Sequence, residues 1–486
     1  MHAVAVSASS YDEIPYDSVP IAETHPANLA VQAMLFGLTP VDPQRCRVLE
    51  LGCASGGNLI PMAFHLPHAE FLGIELSARQ AAAGRALIAA LGLKNVRIEQ
   101  ADIMAVRDLG QFDYLIAHGL YSWVPPAVRE RMFALCAETL SPDGIAYVSY
   151  NTLPGWRLRS MVRDMLLFFA RGVDTPRARL ARAQEGLEQL EAALAGREDV
   201  MAMYLHEEVG RLRRRHESYL YHEYLAEVND PVSFTDFMTQ AKRHGLQYLC
   251  EVELQTMLTE SLGEAAAALV DRYDTVTEQE QCIDFLRQRM FRQTLLCRAH
   301  HAPERHLELE RFRRLAFFAC LVPQEAVDLT VSRGQPYATP DGGECTVQHP
   351  LTKAAVEVLT QRYPDALAFE PLMREAAAHL PPRAAARAAE HEHLLAELVG
   401  LYLRQFVGVS ATPRQFARGS LEAPRANALA RAQAAAGLGH IATVRHMPMG
   451  LDAFAERLVT YLDGTRGPEA IVEELARDIV QGRLRV

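Results

Sequence analysis

Residues 50–58, with the sequence ELGCASGGN, decide the fold of this chain. The apolar run Arg47–Cys53 predicts a buried strand, and Asn58–Leu66 predicts a short helix directly after it. Glycines at such a strand-to-helix turn allow the backbone to pass close to a bound ligand. Because open α/β sheets bind ligands at the carboxyl ends of their strands, the stretch predicts a ligand site at this edge.

The alternation of strand, loop and helix continues to Asn151 and indicates a parallel sheet covered by helices. Ser77 is typical of a helix N-cap and Gly92 of a helix stop, which places a helix between the second and third strands. The further strands are predicted at Phe71–Glu75, Val96–Gln100, Phe112–His118 and Ile145–Asn151. The stretch Pro126–Leu140 predicts a helix, and residues 141–144 a turn.

Beyond Gly155 the sequence predicts helical insertions and smaller units. Arg157–Glu227 and Leu254–Gln288 are helical in pattern, whereas Gly245–Glu251 and Phe291–Arg298 predict two strands that complete the sheet. We therefore predict an α/β fold, with a Rossmann-like sheet, helical insertions and winged-helix-like α+β modules. The predicted units are a cofactor-binding core at 1–156, an insertion and regulatory region that completes the sheet at 157–300, a middle unit at 301–405 and a C-terminal unit at 406–486.

The spacing of the glycine loop favours one class of cofactor. Gly52 and Gly56 give G-x-x-x-G, whereas dinucleotide enzymes use G-x-G-x-x-G to hold a pyrophosphate at a helix N-terminus. S-adenosylmethionine carries no phosphate, so it does not need that arrangement. Glu50 adds an anionic group where the cofactor's amine or sulfonium would lie.

Two acidic residues at the next strand ends support the same cofactor. Glu75 follows the loop by about twenty residues, where an acidic side chain accepts the ribose hydroxyls. Asp102 follows the third strand and is placed to accept from the adenine amino group. Each alone is more often a solvated or capping residue, but their order and spacing together predict S-adenosylmethionine. The adjoining Ala54, Leu76 and Ile103 are predicted to line the same site.

A third group of candidates follows the fourth strand. His118 lies at a strand end, where it could take a proton or orient a nucleophile. Tyr121 and Trp123 could shape a narrow cavity for a methyl-accepting amine. The alternative is that Trp123 packs beneath the sheet and His118 is a structural residue. The sequence favours the catalytic and the structural interpretation equally.

The composition limits which other classes of function and cellular location fit the chain. The net charge of −11 is a poor match for a nucleic-acid binder, because phosphate contact favours a basic surface. The eight cysteines show no CxxC spacing, and residues 1–10 show no signal-peptide pattern, so we predict a cytoplasmic protein without a membrane span. Five histidines lack partners at ligand spacing, so we predict surface positions and no metal site for His206, His216, His222, His300 and His301.

Several motifs make a family resemblance specific. ELGCASGGNLIP, FLGIELSARQ, HGLYSWVPP and AYVSYNTLPGW resemble bacterial class I methyltransferases, and residues 219–249 resemble their regulatory domain. Residues 423–446 resemble the C-terminal winged-helix module of rickettsial protein lysine methyltransferases, which act on outer-membrane protein. The resemblance implies cofactor contacts at Gly52, Gly56, Glu75, Asp102 and Tyr16. It also implies that the segment around Tyr16 folds over the cofactor.

The resemblance implies a methyltransferase that acts on lysine side chains of a protein, such as a surface protein. Two alternatives stay open: a small-molecule methyltransferase whose extra units form a lid or a homodimer interface, and a cofactor-binding regulator without turnover. A protein enzyme needs an open channel for a lysine side chain, whereas a small-molecule enzyme predicts a closed pocket. A dehydrogenase does not fit the spacing of the glycine loop.

Overall fold

The computed structural model describes residue 14 and residues 18–380, 388–416 and 419–485. Its main sheet has seven strands in the order β3-β2-β1-β4-β5-β7-β6. Strands β1 to β5 are parallel, and β7 runs antiparallel to both β5 and β6. The strands are β1 (Arg47–Leu51), β2 (Glu70–Glu75), β3 (Val96–Gln100), β4 (Phe112–Ala117), β5 (Leu140–Asn151), β6 (Leu246–Glu251) and β7 (Phe291–Arg298). The predicted fold class is confirmed.

Helices cover the parallel half of the sheet. They are α1 (Pro26–Leu35), α2 (Leu59–His65), α3 (Ala78–Leu91) and α4 (Pro126–Thr139). As predicted, the Ser77 hydroxyl caps α3 by accepting from the Gln80 N–H, and Gly92 ends it in the left-handed conformation. Strand β5 starts at Leu140, ahead of the predicted Ile145. The predicted turn lies inside a register shift of this strand.

The first insertion forms a helical layer with its own apolar core. Its elements are α5 (Trp156–Phe169), α6 (Pro176–Leu194), α7 (Val200–Arg213), α8 (Glu217–Leu220) and a π-helical turn at Tyr221–Leu225. Leu187, Val209 and Tyr224 are buried together between these helices. The Arg163 guanidinium donates to the Tyr224 carbonyl at 3.1 Å, which ties α5 to the π-helical turn.

The end of the sheet is held by a buried ionic cluster around Arg292 of β7. Helices α9 (Phe234–Arg243), α10 (Glu264–Val270) and α11 (Val276–Arg287) pack beside it. The Arg292 guanidinium donates to Glu251 at 2.6 Å, to Asp284 at 2.8 Å and to Glu280 at 3.0 Å. A buried charge needs such partners, so the cluster fixes β6, β7 and α11 relative to one another.

The middle unit adds two small sheets to the same molecule. Its helices are α12 (Leu309–Arg313), α13 (Pro350–Arg362), α14 (Phe369–Ala378) and α15 (Ala388–Leu403). Its strands are β8 (Ala316–Phe318), β9 (Val322–Pro323), β10 (Gln335–Ala338), β11 (Glu344–Val347), β12 (Leu367–Ala368) and β13 (Gly408–Ser410). Strand β13 pairs with β8 although it lies beyond the boundary predicted at residue 405.

The C-terminal unit packs against the others. It contains α16 (Ala428–Ala435), β14 (His440–Ala442), β15 (Pro448–Gly450), α17 (Ala453–Tyr461) and α18 (Pro468–Val480). One apolar core joins Val48 of β1, Phe317 of the middle unit and Leu429 of α16. Among the described residues no helix has the length and apolar character needed to cross a bilayer.

Candidate active site

The candidate site lies at the carboxyl edge of the parallel strands. The chain order reverses at β1, which has β2 on one side and β4 on the other. At such a point the loops after neighbouring strands diverge and leave a crevice for a ligand. The loops after β1, β2, β3 and β4 carry the residues predicted from the sequence.

At alternate positions the backbone of the glycine loop (residues 52–57) takes the left-handed conformation, which residues with a Cβ rarely adopt. Gly52 and Gly56 have φ values of 71° and 76°, and Ala54 shares this left-handed region with φ of 50°. A Cβ at Gly56 would lie 2.8 Å from the Ile98 side chain, so larger residues are excluded there. A Cβ at Gly52 would meet only Leu120, at 3.6 Å. The loop is therefore closed behind Gly56 and comparatively open at Gly52.

Glu75 links the end of β2 to this loop. One carboxylate oxygen accepts from the Ala54 N–H at 2.9 Å, and the other accepts from the Ser77 N–H at 2.8 Å. Each oxygen has a second lone pair, so the carboxylate can also accept from ribose hydroxyls. The same contacts hold the left-handed Ala54 in place.

Apolar side chains flank Asp102 at the edge of the site. The Asp102 carboxylate accepts from the Met104 N–H at 2.8 Å and is otherwise exposed. Leu76 and Met104 are 37% and 40% exposed, which is unusual for large apolar residues and suits a flat base such as adenine. Ile103 is buried in the core beneath the sheet, so it supports the site from behind.

Glu50 supplies a buried carboxyl group under the loop. Its Oε1 accepts from the Asn58 amide at 2.8 Å, whereas its Oε2 has no hydrogen-bond partner among the described residues. The pKa of Glu50 is raised to about 8, mainly by burial; the Asn58 hydrogen bond opposes this shift and the Glu75 charge adds to it. An orphaned buried oxygen is costly unless a donor meets it. The residues therefore fit a cofactor that carries a cationic amine.

The N-terminal segment crosses the glycine loop. The Gly57 N–H donates to the Ser18 hydroxyl at 2.8 Å, and a Cβ at Gly57 would lie 1.9 Å from the Ser18 carbonyl oxygen. The Ile21 N–H donates to the Asn58 side chain at 2.9 Å. Tyr16, which the resemblance implies as a contact, lies outside the described residues, so its role stays a prediction.

His118 lies just past the end of β4, beside two aromatic rings. Its Nδ1 is 2.8 Å from the Tyr147 hydroxyl, and its ring stacks on Tyr147 at 5.8 Å between centroids. The Phe291 ring approaches edge-on at 6.3 Å. Burial lowers the pKa of His118 to about 4, so the imidazole is neutral at physiological pH.

Tyr121 and Trp123 lie elsewhere in the packing. The Tyr121 ring is buried among Phe133, Tyr150 and Phe237, and its hydroxyl donates to Gln240 at 3.0 Å. The Trp123 indole N–H donates to the His222 carbonyl at 3.1 Å. These contacts favour packing over a cavity wall for both residues; a catalytic role for either stays a prediction.

Glu23, whose charge acts on Tyr147, and the nearby Glu253 carry no sequence signal. Glu23 lies in a short 3-10 helix before α1, and Glu253 follows β6; both are half-buried. Burial and then the Glu23 charge raise the pKa of Tyr147 and also that of Glu253. Glu23 therefore brings negative charge to the side of the site where Tyr147 lies, and Glu253 lies within range of that charge.

One histidine prediction is wrong. His222 was expected at the surface, but it is buried in the π-helical turn and its Nε2 donates to the Ile14 carbonyl at 2.7 Å. The structure brings two groups of potential metal ligands within 4.8 Å: Asp143, His300 and His301, and His349, His393 and Glu397. The absence of a metal site stays a prediction.

Comparison with known proteins agrees with this geometry. Residues 48–144 match a methyltransferase domain, residues 216–298 a predicted methyltransferase regulatory domain, and residues 422–486 the PKMT C-terminal winged helix domain. The uncharacterized protein RP789 of Rickettsia prowazekii is 31% identical over 482 residues, which cover 98% of this chain and 87% of that protein.

Solved structures extend the similarity to the whole chain. PKMT2 from Rickettsia typhi in complex with AdoHcy is 26% identical, with a TM-score of 0.86 over 97% of this chain and 93% of that one.

A second relative by sequence covers only part of the chain. A trans-aconitate 2-methyltransferase of Deinococcus radiodurans is 33% identical over 117 residues, covering 24% of this chain and 41% of that enzyme. The chain therefore belongs to the S-adenosylmethionine-dependent methyltransferases that join a methyltransferase domain and its regulatory domain to a PKMT-type winged-helix domain.

Proposed function

We propose that this methyltransferase transfers the methyl group to lysine side chains of a protein substrate. The observation that carries the proposal is the pairing of the aromatic His118 and Tyr147 on a side of the site that the charge of the half-buried Glu23 reaches. The half-buried Glu253 lies within range of Glu23. Negative charge and aromatic faces together attract a cationic amine. The similarity to PKMT2 along nearly the whole chain supports the same substrate class.

The cofactor half of the site would hold S-adenosylmethionine through residues already described. Glu75 would accept from the ribose, Asp102, Leu76 and Met104 would face the adenine, and Glu50 would meet the amine. The cofactor supplies an already activated methyl group, so the protein's part is alignment and exclusion of water. Ala54 and Gly52 shape the backbone of the loop for that purpose.

The acceptor half must present a neutral amine. An unperturbed lysine has a pKa of about 10.4, so a histidine whose pKa is lowered to about 4 is too weak a base to take its proton. His118 would instead orient the amine by a hydrogen bond from its Nε2 side, since Nδ1 faces the Tyr147 hydroxyl. Desolvation of the amine beside His118 and Tyr147 would itself lower the amine pKa, so the site need not supply a strong base.

A small-molecule acceptor is the second candidate, favoured by the similarity to trans-aconitate 2-methyltransferase. That similarity covers 24% of this chain, and a polycarboxylate such as aconitate would be repelled by Glu23 and Glu253. The acidic surroundings therefore favour the cationic acceptor.

The proposal extends to the location of the enzyme and to the role of its other units. We propose a cytoplasmic enzyme, because all eight cysteines are free thiols and seven of them are buried. We also propose that the insertion and the C-terminal units bind the protein substrate, such as a surface or outer-membrane protein, away from the chemistry. A homodimer stays a prediction.

The test uses the full-length enzyme and methyl-labelled S-adenosylmethionine. Lysine-rich fragments of bacterial surface proteins, the same fragments with acetylated lysines, and a metabolite extract are offered in parallel, and mass spectrometry locates the label. Label on unblocked lysines alone supports the proposal. Label confined to small molecules, or on acetylated fragments equally, contradicts it.

Variants test whether the carboxylates recognise the amine. Glu23→Gln and Glu253→Gln should each lower kcat/KM for the labelled fragment by about fivefold or more, because each removes a charge that attracts the acceptor. Glu70→Gln, an exposed residue at the amino end of β2 and away from the site, is the matched control and should leave kcat/KM unchanged. Equal activity of all three variants would contradict the assigned roles of Glu23 and Glu253.

A further inference from the structure

The C-terminal unit reaches the glycine loop through the tip of one hairpin, β14–β15. At this tip His446 takes the left-handed conformation, with φ of 58°, and its N–H donates to the Thr443 carbonyl at 2.9 Å. The neighbouring Arg445 lies 3.5 Å over the Phe318 ring and also donates to the Pro364 carbonyl. The middle unit therefore holds the tip in place while the His446 side chain points inward.

The His446 imidazole ends in the buried network beneath the glycine loop. Its Nε2 lies 2.8 Å from Asn58 Oδ1, a contact between residues 388 positions apart in the chain. The His25 ring packs against it edge-on at 5.3 Å. His446 and Asn58 are each only 4% exposed, so water does not compete for this hydrogen bond.

The direction of this hydrogen bond follows from the third partner. The Ile21 backbone N–H, which can only donate, also meets Asn58 Oδ1 at 2.9 Å, so that atom is the amide oxygen. The His446 Nε2 must then carry the proton and donate. Burial, with His65 and Arg414 nearby, lowers the pKa of His446 to about 3, which is consistent with a neutral ring that donates from Nε2.

The orientation of Asn58 decides which part of Glu50 stays free. With its oxygen held by His446 and Ile21, the Asn58 amide nitrogen points to Glu50 Oε1 at 2.8 Å and to the Thr24 hydroxyl at 2.9 Å. Glu50 Oε1 is thereby engaged, and Oε2 is left without a partner among the described residues.

We propose that His446 of the winged-helix unit is a positioning residue of the cofactor site. It donates to Asn58, fixes the Asn58 amide toward Glu50, and so leaves one Glu50 oxygen for the cationic part of S-adenosylmethionine. The winged-helix unit thus contributes to cofactor affinity without touching the cofactor.

The first test measures binding of S-adenosylhomocysteine and S-adenosylmethionine to the full chain by calorimetry. His446→Ala should weaken S-adenosylmethionine binding by about three- to tenfold, the effect of one buried hydrogen bond. His446→Gln, whose amide can still donate, should restore most of it. Met447→Ala, which changes the exposed neighbour at the tip, should bind like the wild type.

A double-mutant cycle separates positioning from general support of the fold. If His446 acts through Asn58, then His446→Ala should have little further effect on affinity in an Asn58→Ala background. Additive losses, or an affinity of His446→Gln no better than that of His446→Ala, would overturn the proposal. Circular dichroism and the unfolding midpoint are recorded for each variant. If Asn58→Ala does not fold, the comparison of His446→Gln with His446→Ala decides the question alone.

Discussion

Glu50 shows how one buried side chain can report on the cofactor site. In the folded protein the carboxyl group of Glu50 has a pKa of about 8, whereas in the unfolded chain it has its ordinary pKa of 4.5. The folded state therefore binds more protons in the interval between these values. The free energy of unfolding accordingly falls as the pH rises through that interval.

The first prediction concerns Glu50→Gln. The glutamine keeps an acceptor for the Asn58 amide but cannot ionise. Between pH 6 and 8 the cofactor-free wild type should lose up to about 2 kcal/mol of unfolding free energy that the variant keeps. Urea unfolding of both proteins at the two pH values measures this difference. If the two proteins differed in unfolding free energy by the same amount at pH 6 and at pH 8, the raised pKa of Glu50 would be contradicted.

The positions of the candidate cofactor residues were predictable individually, because a strand end fixes where a side chain lies. Gly52, Glu75 and Asp102 each follow a strand whose apolar run is visible in the sequence, and the structure brings them to one edge. The proposed roles of Glu23 and Glu253 were not predictable, because neither residue belongs to a sequence motif. Tyr121 resembled a site residue only through its place in the chain, and tertiary packing directs its ring into the core.

At the scale of elements, residues 18–21 cross the glycine loop and contact Gly57 and Asn58. Gly57 makes this possible, because the Ser18 carbonyl occupies the space of a Cβ at that position. The boundaries of the elements were less predictable than their existence. Strand β5 shows why: a register shift absorbs the turn residues 141–144 into the strand.

The second prediction concerns Gly57→Ala. Since the new Cβ would lie 1.9 Å from a backbone oxygen, the segment around Ser18 must move and its hydrogen bond to residue 57 must break. Cofactor affinity should fall about tenfold or more, and protease cleavage near the N-terminus should accelerate. Calorimetry and timed proteolysis measure the two effects.

The control for this variant is another glycine replaced by alanine. Gly400 of α15 has no atom within 4 Å of a built Cβ. Gly400→Ala should bind the cofactor normally and be as stable as the wild type or more so, because alanine favours helices. Equal affinity of Gly57→Ala and Gly400→Ala would mean that the segment does not cover the loop.

At the scale of the whole molecule, the units share one apolar core instead of folding side by side. Val48 of the main sheet, Phe317 and Leu359 of the middle unit and Ala442 of β14 belong to it. The sequence could not show this sharing, because apolar residues predict burial and not the partner against which they are buried. We therefore expect the units to unfold together.

The third prediction tests that expectation. Trp123 and Trp156 are the two tryptophans of the chain, and both lie in its first third. Leu359→Ala, made in the middle unit, should cost about 2 to 5 kcal/mol. It should shift the tryptophan fluorescence transition and the far-ultraviolet dichroism transition by the same amount. A fluorescence transition that stays at its wild-type midpoint would show separate unfolding.

The insertion of His446 beneath the glycine loop has a consequence for how such proteins can diversify. A domain that only contacts the surface of its neighbour can be replaced by recombination with a different domain. Here the module supplies a donor to an amide inside another domain, and a foreign module without that histidine would leave the Asn58 oxygen short of a partner. Chimaeras should therefore keep full cofactor affinity only when the two residues are inherited as a pair.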